Sequence, residues 1–302
     1  MSEPSPRFSV VIPVHDGRRK LRDAVNSVLD QSFSDFEILV VDDDSPIDPR
    51  LLLSGFDDDR IRYVVSRSNG PSASRNAGIS SARGEVITFL DSDDRAETDW
   101  LMTFDREMKP HVGLVSCGAI YKAVSTGSEK AVLPKARGAA YRRQRVLFIA
   151  GTFAYLSRLS NGNLFYDSKL HQSENAEFGI RLVRRCAEKG LAAVAVDETL
   201  VIVNKGDRSR HGEARIDATE RILTIHEQLM REDREMGRDY AAVAGVQCAR
   251  FGRWREARRW FWKAVEFRPG DPTGWIRIVL TLVPFARSGI WRASPRPGVK
   301  VE

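Results

Sequence analysis

Cysteine is scarce and dispersed. Cys117, Cys186 and Cys248 lie far apart, and no Cys-x-x-Cys pair occurs. This pattern suggests neither a zinc site nor a disulfide framework, and it fits a reducing compartment. Long apolar runs are missing as well: nothing reaches the ~20 residues of a membrane-spanning helix, and the nearest approach, 275–291, is broken by Arg277, Pro284 and Arg287. The start of the chain is polar, and the apolar run after it, 8–14, is too short for a signal-peptide core with a cleavage site. The turn after that run, Pro13-Val-His-Asp-Gly-Arg18, lacks the Gly-x-Gly-x-x-Gly fingerprint, which disfavours a nicotinamide dehydrogenase. No nucleic-acid-binding motif is present, so nucleic acid is not an expected partner. These absences predict a cytoplasmic protein.

What remains is ordinary globular composition. With 42% hydrophobic and 29% charged residues, a chain of 302 has enough apolar material for a full core. The net charge of +6 is unevenly spread. Residues 241–302 carry 12 Lys and Arg against 4 Asp and Glu, so the preceding 240 are slightly acidic. Basicity belongs to the tail and points to an anionic partner there, or to solubility.

The first 120 residues alternate between two periods. Continuous apolar runs at 9–14, 37–41, 61–65 and 85–90 read as strands, most of them buried on both faces. Helical spacing at 20–31, 72–82 and 97–108 separates or follows them, and 112–121 reads as a further strand. Such alternation predicts a mostly parallel sheet with helices on its faces. Ligands of these sheets sit beyond the carboxyl ends of the strands. Three predicted strand ends carry polar clusters: His15-Asp16, Asp42 to Ser45, and Asp91 to Asp94. Beyond them, 125–144 is a loosely patterned loop, 175–189 a helix, and 192–196 and 199–203 short strands. From Asp217 the pattern is wholly helical, which places a domain boundary near 215.

Asp91-Ser92-Asp93 puts two oxygen donors where a strand turns into a loop. Such a pair suits Mg²⁺ or Mn²⁺, which takes one or two carboxylates and fills its shell with water and phosphate. Alone, the pair also reads as loop solvation or helix capping. Asp42 and Asp43 carry the same ambiguity, since a strand-end carboxylate either accepts hydrogen bonds from a base or ribose or caps a helix.

Four ordered segments remove much of that ambiguity. They are Ser9-Val-Val-Ile-Pro-Val-His-Asp16, Gln31 to Ser45 with its Asp-Asp-Asp-Ser end, Asn69-Gly-Pro-Ser-Ala-Ser-Arg-Asn-Ala-Gly-Ile79, and Ala82-Arg-Gly-Glu-Val-Ile-Thr-Phe-Leu-Asp-Ser-Asp-Asp94. Together they resemble the inverting family 2 glycosyltransferases of the GT-A fold, with weaker similarity running on to about 205. The resemblance implies an α/β GT-A (nucleotide-diphospho-sugar transferase) fold with a mostly parallel central sheet, followed by a C-terminal helical extension. It implies a catalytic domain over 1–215, with a nucleotide half at about 8–120 and an acceptor half at 121–215, and the helical pattern and composition leave a basic, Trp-rich helical tail over 216–302. Pro13, Val14 and His15 then fall at the nucleotide, with Asp42, Asp43, Arg75 and Ser92. Asp43 matches the acid facing the base, and Asp91 and Asp93 match the metal-binding pair. The implied partners are a nucleoside-diphosphate sugar donor, a divalent cation and a glycan or lipid-linked acceptor, in envelope or surface glycan synthesis.

One segment departs from the family pattern. The family's catalytic base sits in an acidic pair opening a helix, resembled here by Ser173-Glu174-Asn175-Ala176-Glu177. The usual base position is Asn175, and an amide takes no proton at neutral pH. Three alternatives stand: Glu174 as base, Glu177 as base unless it pairs with Arg181 at i+4, or a protein that binds donor without turnover. His211 matches a histidine that the family uses as a third metal contact, or it is an exposed loop residue.

In the tail, Gly245, Gly252, Ala257, Phe261, Ala264 and Pro269 resemble a single tetratricopeptide-like helix pair. One such unit cannot bury its own face. Five of the six tryptophans also fall there, beside the excess of Lys and Arg. That combination suits peripheral contact with the inner, anionic face of a membrane. Lack of a spanning helix and of Gln-x-x-Arg-Trp argues against a processive, pore-forming synthase.

Overall fold

The computed structural model describes residues 5–15, 18–66, 70–138, 141–160, 163–205, 212–283 and 291. By internal contacts the chain divides into two compact units: residues 1–137 with 141–208, and residues 138–140 with 209–302.

The first unit opens with β1 (Phe8–Val14), α1 (Arg18–Leu29), β2 (Phe36–Asp42), the single turn α2 (Pro49–Leu52), β3 (Ile61–Val65), α3 (Pro71–Ser81) and β4 (Val86–Phe89). The apolar runs become strands because both of their faces are covered: Val10, Val11, Ile12, Ile38, Leu39, Val40 and Val86 are wholly buried. On α1, Leu21, Ala24, Val25 and Val28 form the buried stripe that their spacing predicts. There follow β5 (Arg95–Ala96), α4 (Trp100–Glu107), β6 (Val112–Ala123), β7 (Glu129–Val132), β8 (Lys135–Ala136), β9 (Arg145–Val146), β10 (Phe153–Leu156), α5 (Glu174–Glu188) and β11 (Ala192–Lys205).

These strands make a nine-stranded sheet in the order β3-β2-β1-β4-β10-β6-β11-β5, with β7 paired to β6. The β1–β2, β2–β3, β1–β4 and β6–β11 pairs are parallel, and β10 runs antiparallel between β4 and β6. The sheet is thus mainly parallel, as the alternating periods imply. Pro13 is tolerated in this central strand because it lies past the last β1–β4 register pair, Val11 with Phe89, so its missing N–H breaks no ladder bond there. Trp100 is fully buried beneath the sheet and donates from Nε1 to the carbonyl of Gly151 at 2.7 Å.

Two differences from the sequence pattern have physical causes. The two short strands expected at 192–203 are one strand, β11, whose pairing with β6 shifts register between Ala195 and Thr199. Asp197 and Glu198 stand there on the surface, and their polarity splits one strand into two apolar runs. The sequence pattern marks no strand between 144 and 175, yet β10 forms there, only four residues long, with Phe153, Ala154 and Tyr155 fully buried.

The second unit is helical: α6 (Gly212–Ile225), α7 (Glu227–Glu232), α8 (Arg234–Arg250), α9 (Trp254–Phe267) and α10 (Pro272–Leu282). Asp233 caps α8 by accepting from Met236 N at 3.1 Å, and Asp271 caps α10 by accepting from Thr273 N at 3.0 Å. Arg238 of α8 bonds the Asp271 carboxylate at 2.6 Å, which ties the start of α10 back to α8. Phe261 of α9 is wholly buried against Gly245 of α8.

Helix α3 lies so close to β1 that a Cβ on Gly78 would come within 2.3 Å of the Val11 side chain. Valine is stiff at χ1 and fully buried here, so it cannot turn away. Gly78→Ala is therefore expected to lower the unfolding free energy by about 1–3 kcal/mol, measured by urea denaturation.

Candidate active site

The parallel strands β1, β2 and β4 end along one edge of the sheet, and the polar clusters stand there. At the end of β2, Asp42 Oδ1 accepts from Ser45 N at 3.0 Å, and Asp44 takes a left-handed backbone with φ of 56°. The chain turns sharply enough for Asp43 N to donate to the Val14 carbonyl at 2.8 Å, with Ser45 Oγ on the same oxygen at 3.1 Å. His15 donates from Nδ1 to the Asp43 carbonyl at 2.8 Å, which fixes the imidazole tautomer. Pro13, Val14 and His15 are thus bound into the same turn as Asp42 and Asp43.

The Asp43 side chain is buried and grips the start of α3. Its Oδ2 and Oδ1 accept from Gly70 N at 2.8 and 3.2 Å. Gly70 has φ of 105°, a conformation that favours glycine, and it leads directly into Pro71 at the first helical position. Each carboxylate oxygen accepts more than one hydrogen bond, so the pairing leaves Asp43 able to receive a ligand donor as well.

Arg75 lies one turn into α3 and is 3% exposed. Its Nη2 donates to Asp91 Oδ1 at 2.7 Å, and its Nη1 donates to Glu174 Oε1 at 3.1 Å. The guanidinium also stands 5.5 Å from the ring centre of Tyr166. Burial alone would draw its pKa down, but the charges of Asp91 and Glu174 outweigh burial and hold it above the ordinary value. One buried cation therefore joins the end of β4 to the start of α5, and the two carboxylates around it leave a net negative charge.

The Asp91–Asp94 turn divides its acids between two tasks. Asp94 is buried, accepts from Asn204 N at 2.8 Å, and donates its own N–H to the Asp91 carbonyl at 3.0 Å. This pins the turn to β11. Asp91, Ser92 and Asp93 stay partly or fully exposed, and Lys20 Nζ lies 3.8 Å from Asp93 Oδ2. Asp91 and Asp93 are hard oxygen donors suited to Mg²⁺ or Mn²⁺. Among the described residues no group of three or more His, Cys, Asp or Glu is arranged to hold a metal ion by itself. A two-carboxylate set of this kind fits a cation that completes its shell with phosphate oxygens and water. His211, with Arg208 and Arg210, lies outside the described residues.

At the start of α5 the three candidate positions separate. Glu174 is bonded to Arg75 as above. Asn175 accepts from the Tyr166 hydroxyl at 3.0 Å through Oδ1, and its Nδ2 lies 3.5 Å from Glu174 Oε1. Burial pushes the Tyr166 phenol well above its usual pKa against the pull of Arg75, so it remains a neutral donor. Glu177 is 1% exposed and is held by Arg181 through two bonds of 2.7 Å. Arg181 is fixed in turn by the Phe165 carbonyl at 2.7 Å. Glu177 thus serves an i,i+4 ion pair inside the fold.

Tyr166 and Asn76 are the site residues that sequence reasoning missed. The Asn76 amide bonds the backbone of Tyr166 in both directions, at 2.8 and 2.7 Å, and so sets the aromatic ring against Arg75. Tyr166 also stacks on Phe178 of α5, with ring centres 4.1 Å apart. Asn76 was within sight, beside Arg75 in the same motif. Tyr166 sits in a loop with no periodic pattern and carries no such signal.

Comparison with known proteins agrees with this architecture. Residues 9–165, just over half of the chain, match the glycosyl transferase family 2 model, and the chain belongs to that family. A GalNAc(5)-diNAcBac-PP-undecaprenol beta-1,3-glucosyltransferase of Campylobacter jejuni is 37% identical over 102 residues, 32% of this chain and 33% of the relative. The teichuronic acid biosynthesis glycosyltransferase TuaG, a putative assignment in Bacillus subtilis, is 38% identical over 104 residues, 33% of this chain and 41% of the relative. The match thus spans well under two thirds of either relative. Among solved structures, Staphylococcus aureus TarS in complex with UDP-GlcNAc aligns over 93% of this chain and 86% of its own, with a TM-score of 0.55 and 16% identity. The mannosyltransferase PcManGT of Pyrobaculum calidifontis, in complex with GDP-Man and Mn²⁺, aligns over 94% of this chain and 83% of its own, with a TM-score of 0.58 and 14% identity. At such identities these likenesses bear on the fold, which is GT-A-like with added C-terminal helices.

Because Glu177 is enclosed while Arg181 keeps some contact with water, Glu177→Gln is expected to destabilise the fold by about 2–3 kcal/mol. Thermal or chemical denaturation of the variant checks this value.

Proposed function

We propose that this chain transfers a sugar from a nucleoside-diphosphate donor to a hydroxyl acceptor, with inversion at the anomeric carbon and with Mg²⁺ or Mn²⁺ bound. The observation that carries the reading is Arg75, whose single guanidinium bonds both Asp91 and Glu174. It brings a strand-end acid suited to a cation and a helix-start acid suited to a proton into one cluster. The relatives named above are a glucosyltransferase named for a lipid-linked glycan and a teichuronic acid glycosyltransferase. They favour a glycan or lipid-linked acceptor in envelope or surface glycan synthesis. The enzyme would then work at the cytoplasmic face of a membrane, with its basic tail as the peripheral contact.

Each residue has a separate task in this reading. Pro13, Val14, His15, Asp42 and Asp43 line the nucleotide side, with Ser92 near the phosphates. Asp91 and Asp93 hold the cation. When bound, that ion supplies Lewis-acid stabilisation of the negative charge that grows on the departing diphosphate. Glu174 takes the acceptor hydroxyl's proton. Among the described residues its hydrogen bonds fall on Oε1, which leaves Oε2 to take that proton in this reading. Arg75 holds Asp91 and Glu174 in place through its two hydrogen bonds, and the Asn175 amide reaches the same Glu174 oxygen. We also read 1–215 as the catalytic domain and α8 with α9 as one tetratricopeptide-like pair, a reading supported by the packing of Gly245 on Phe261.

The second reading is a nucleotide-sugar-binding or scaffold protein on the same fold. It is favoured by Asn175, whose amide oxygen is already engaged by Tyr166. The two readings part on turnover. Under the first, Glu174→Gln lowers kcat by about 10²–10⁴-fold while donor affinity stays near wild type, as measured with radiolabelled donor over an acceptor panel. Tight nucleotide–Mn²⁺ binding by the wild type, with no transfer or donor hydrolysis over a broad acceptor panel, would favour the second.

Donor binding should also depend on the cation. Thermal-shift screening of UDP-, GDP- and dTDP-sugars with Mn²⁺ is expected to show stabilisation of about 2.7 kcal/mol at a hundred times Kd. The shift should fall sharply on addition of EDTA or in Asp91→Asn and Asp93→Asn. A donor shift that ignores all three would remove the cation from the proposal.

A further inference from the structure

The outward face of α10 is apolar along its whole length. Pro272, Trp275, Ile276, Val279 and Leu282 recur on it at helical spacing. Trp275 is 43% exposed, and Ile276, Val279 and Leu282 are each more than half exposed. Among the described residues none of the positions on this face is charged. A helix normally turns such a stripe inward, and here the inward side is served by Gly274 and Thr281 instead. Scattered exposed apolar residues need no explanation, whereas a contiguous row marks an interaction surface.

The neighbouring face of α9 supplies the opposite property. Arg255, Arg259 and Lys263 are all exposed there, with Glu256 and Glu266 as the exposed acids on the same side, and Glu256 is paired with Arg253. Trp262 stands among them, 51% exposed, and meets Trp275 edge to face with ring centres 5.6 Å apart. Trp275 is held further by its Nε1, which donates to the Pro269 carbonyl at 2.9 Å. Two indoles are therefore fixed at the junction of a purely apolar strip and a cationic one. Beyond α10 the sequence adds Arg287, Arg292, Arg296 and Lys300 against the single acid Glu302.

From this juxtaposition we infer that the α9–α10 surface is a docking face for an anionic lipid leaflet. Ile276, Val279 and Leu282 enter the acyl boundary, Trp262 and Trp275 sit at headgroup level, and Arg255, Arg259 and Lys263 meet the headgroup charges. An amphipathic helix lying in the interface uses this division of labour. Charge selects the partner: a second copy of the same surface would oppose like-charged strips, whereas an anionic leaflet neutralises them. The inference deepens the peripheral-membrane part of the reading above by assigning it to particular side chains. It is independent of whether Glu174 turns over a donor.

The test is co-sedimentation of the full-length chain with acceptor-free vesicles, so that binding is read without catalysis. Vesicles of phosphatidylcholine with phosphatidylserine should retain the protein, and phosphatidylcholine alone should retain much less. Ile276→Ser combined with Val279→Ser and Leu282→Ser should weaken binding by about tenfold or more. Arg255→Glu with Arg259→Glu should weaken it on the order of fivefold or more for each reversed charge, and high salt should act in the same direction. Melting temperatures near wild type confirm that the variants fold, and if the triple variant does not, the charge-reversal pair and Trp275→Ser carry the test. Failure of the wild type to bind anionic vesicles at low salt overturns the inference. So does binding that survives every folded variant. A concentration-dependent dimer that the triple variant abolishes, without vesicle binding, also overturns it and gives the face to a second copy of the chain. Loss of transfer in Glu174→Gln with vesicle binding intact would bear on the catalytic reading alone.

Discussion

A positive charge with almost no access to water is the constraint around which the first unit is organised. Arg75 cannot give up its proton, so its neighbours must compensate it. Asp91 and Glu174 do so from elements far apart in the sequence, one at the end of β4 and one at the start of α5. Their positions are set by that need as much as by the strand and helix that carry them. Asp43 supports the arrangement one turn earlier, at the start of α3, by holding the amide of Gly70. The strand-end acids thus meet through one short helix, each bonded to a different part of it.

This arrangement sorts the acids of the chain by what they are bound to. Asp94 and Glu177 are deeply enclosed and each is engaged by protein groups, Asn204 and Arg181 respectively. Asp91, Asp93 and Glu174 retain some exposure to solvent. Adjacent or near-adjacent carboxylates in sequence therefore have different chemical prospects. The distinction rests on how far each side chain is buried, which spacing alone does not reveal.

Much of the fold was legible because burial on both faces leaves a plain mark. β1, β2 and β4 are unbroken apolar runs, and α1 carries its stripe at helical spacing. The strand-end motifs likewise pointed to the edge where the polar groups gather. β10 left no such mark, since four residues between loops resemble any short apolar stretch. β11 was divided in two by Asp197 and Glu198, which face water at an irregularity in the ladder. At the site, Glu177 with Arg181 was visible as an i,i+4 pair, but the choice between an ion pair and a base needed coordinates. Tyr166 was illegible for a different reason: its place depends on Asn76, ninety residues earlier, and no local period encodes such a contact.

The insertion of β10 has a mechanical corollary. Because it pairs with β4 on one side and β6 on the other, the strands that bear the Asp-rich tips and those that follow them share one uninterrupted ladder. A ligand entering this unit meets two sides that cannot swing apart as a clamshell would. If ligands of different size are accommodated here, the connecting segments above the ladder are the parts left to adjust, while the platform beneath keeps its shape.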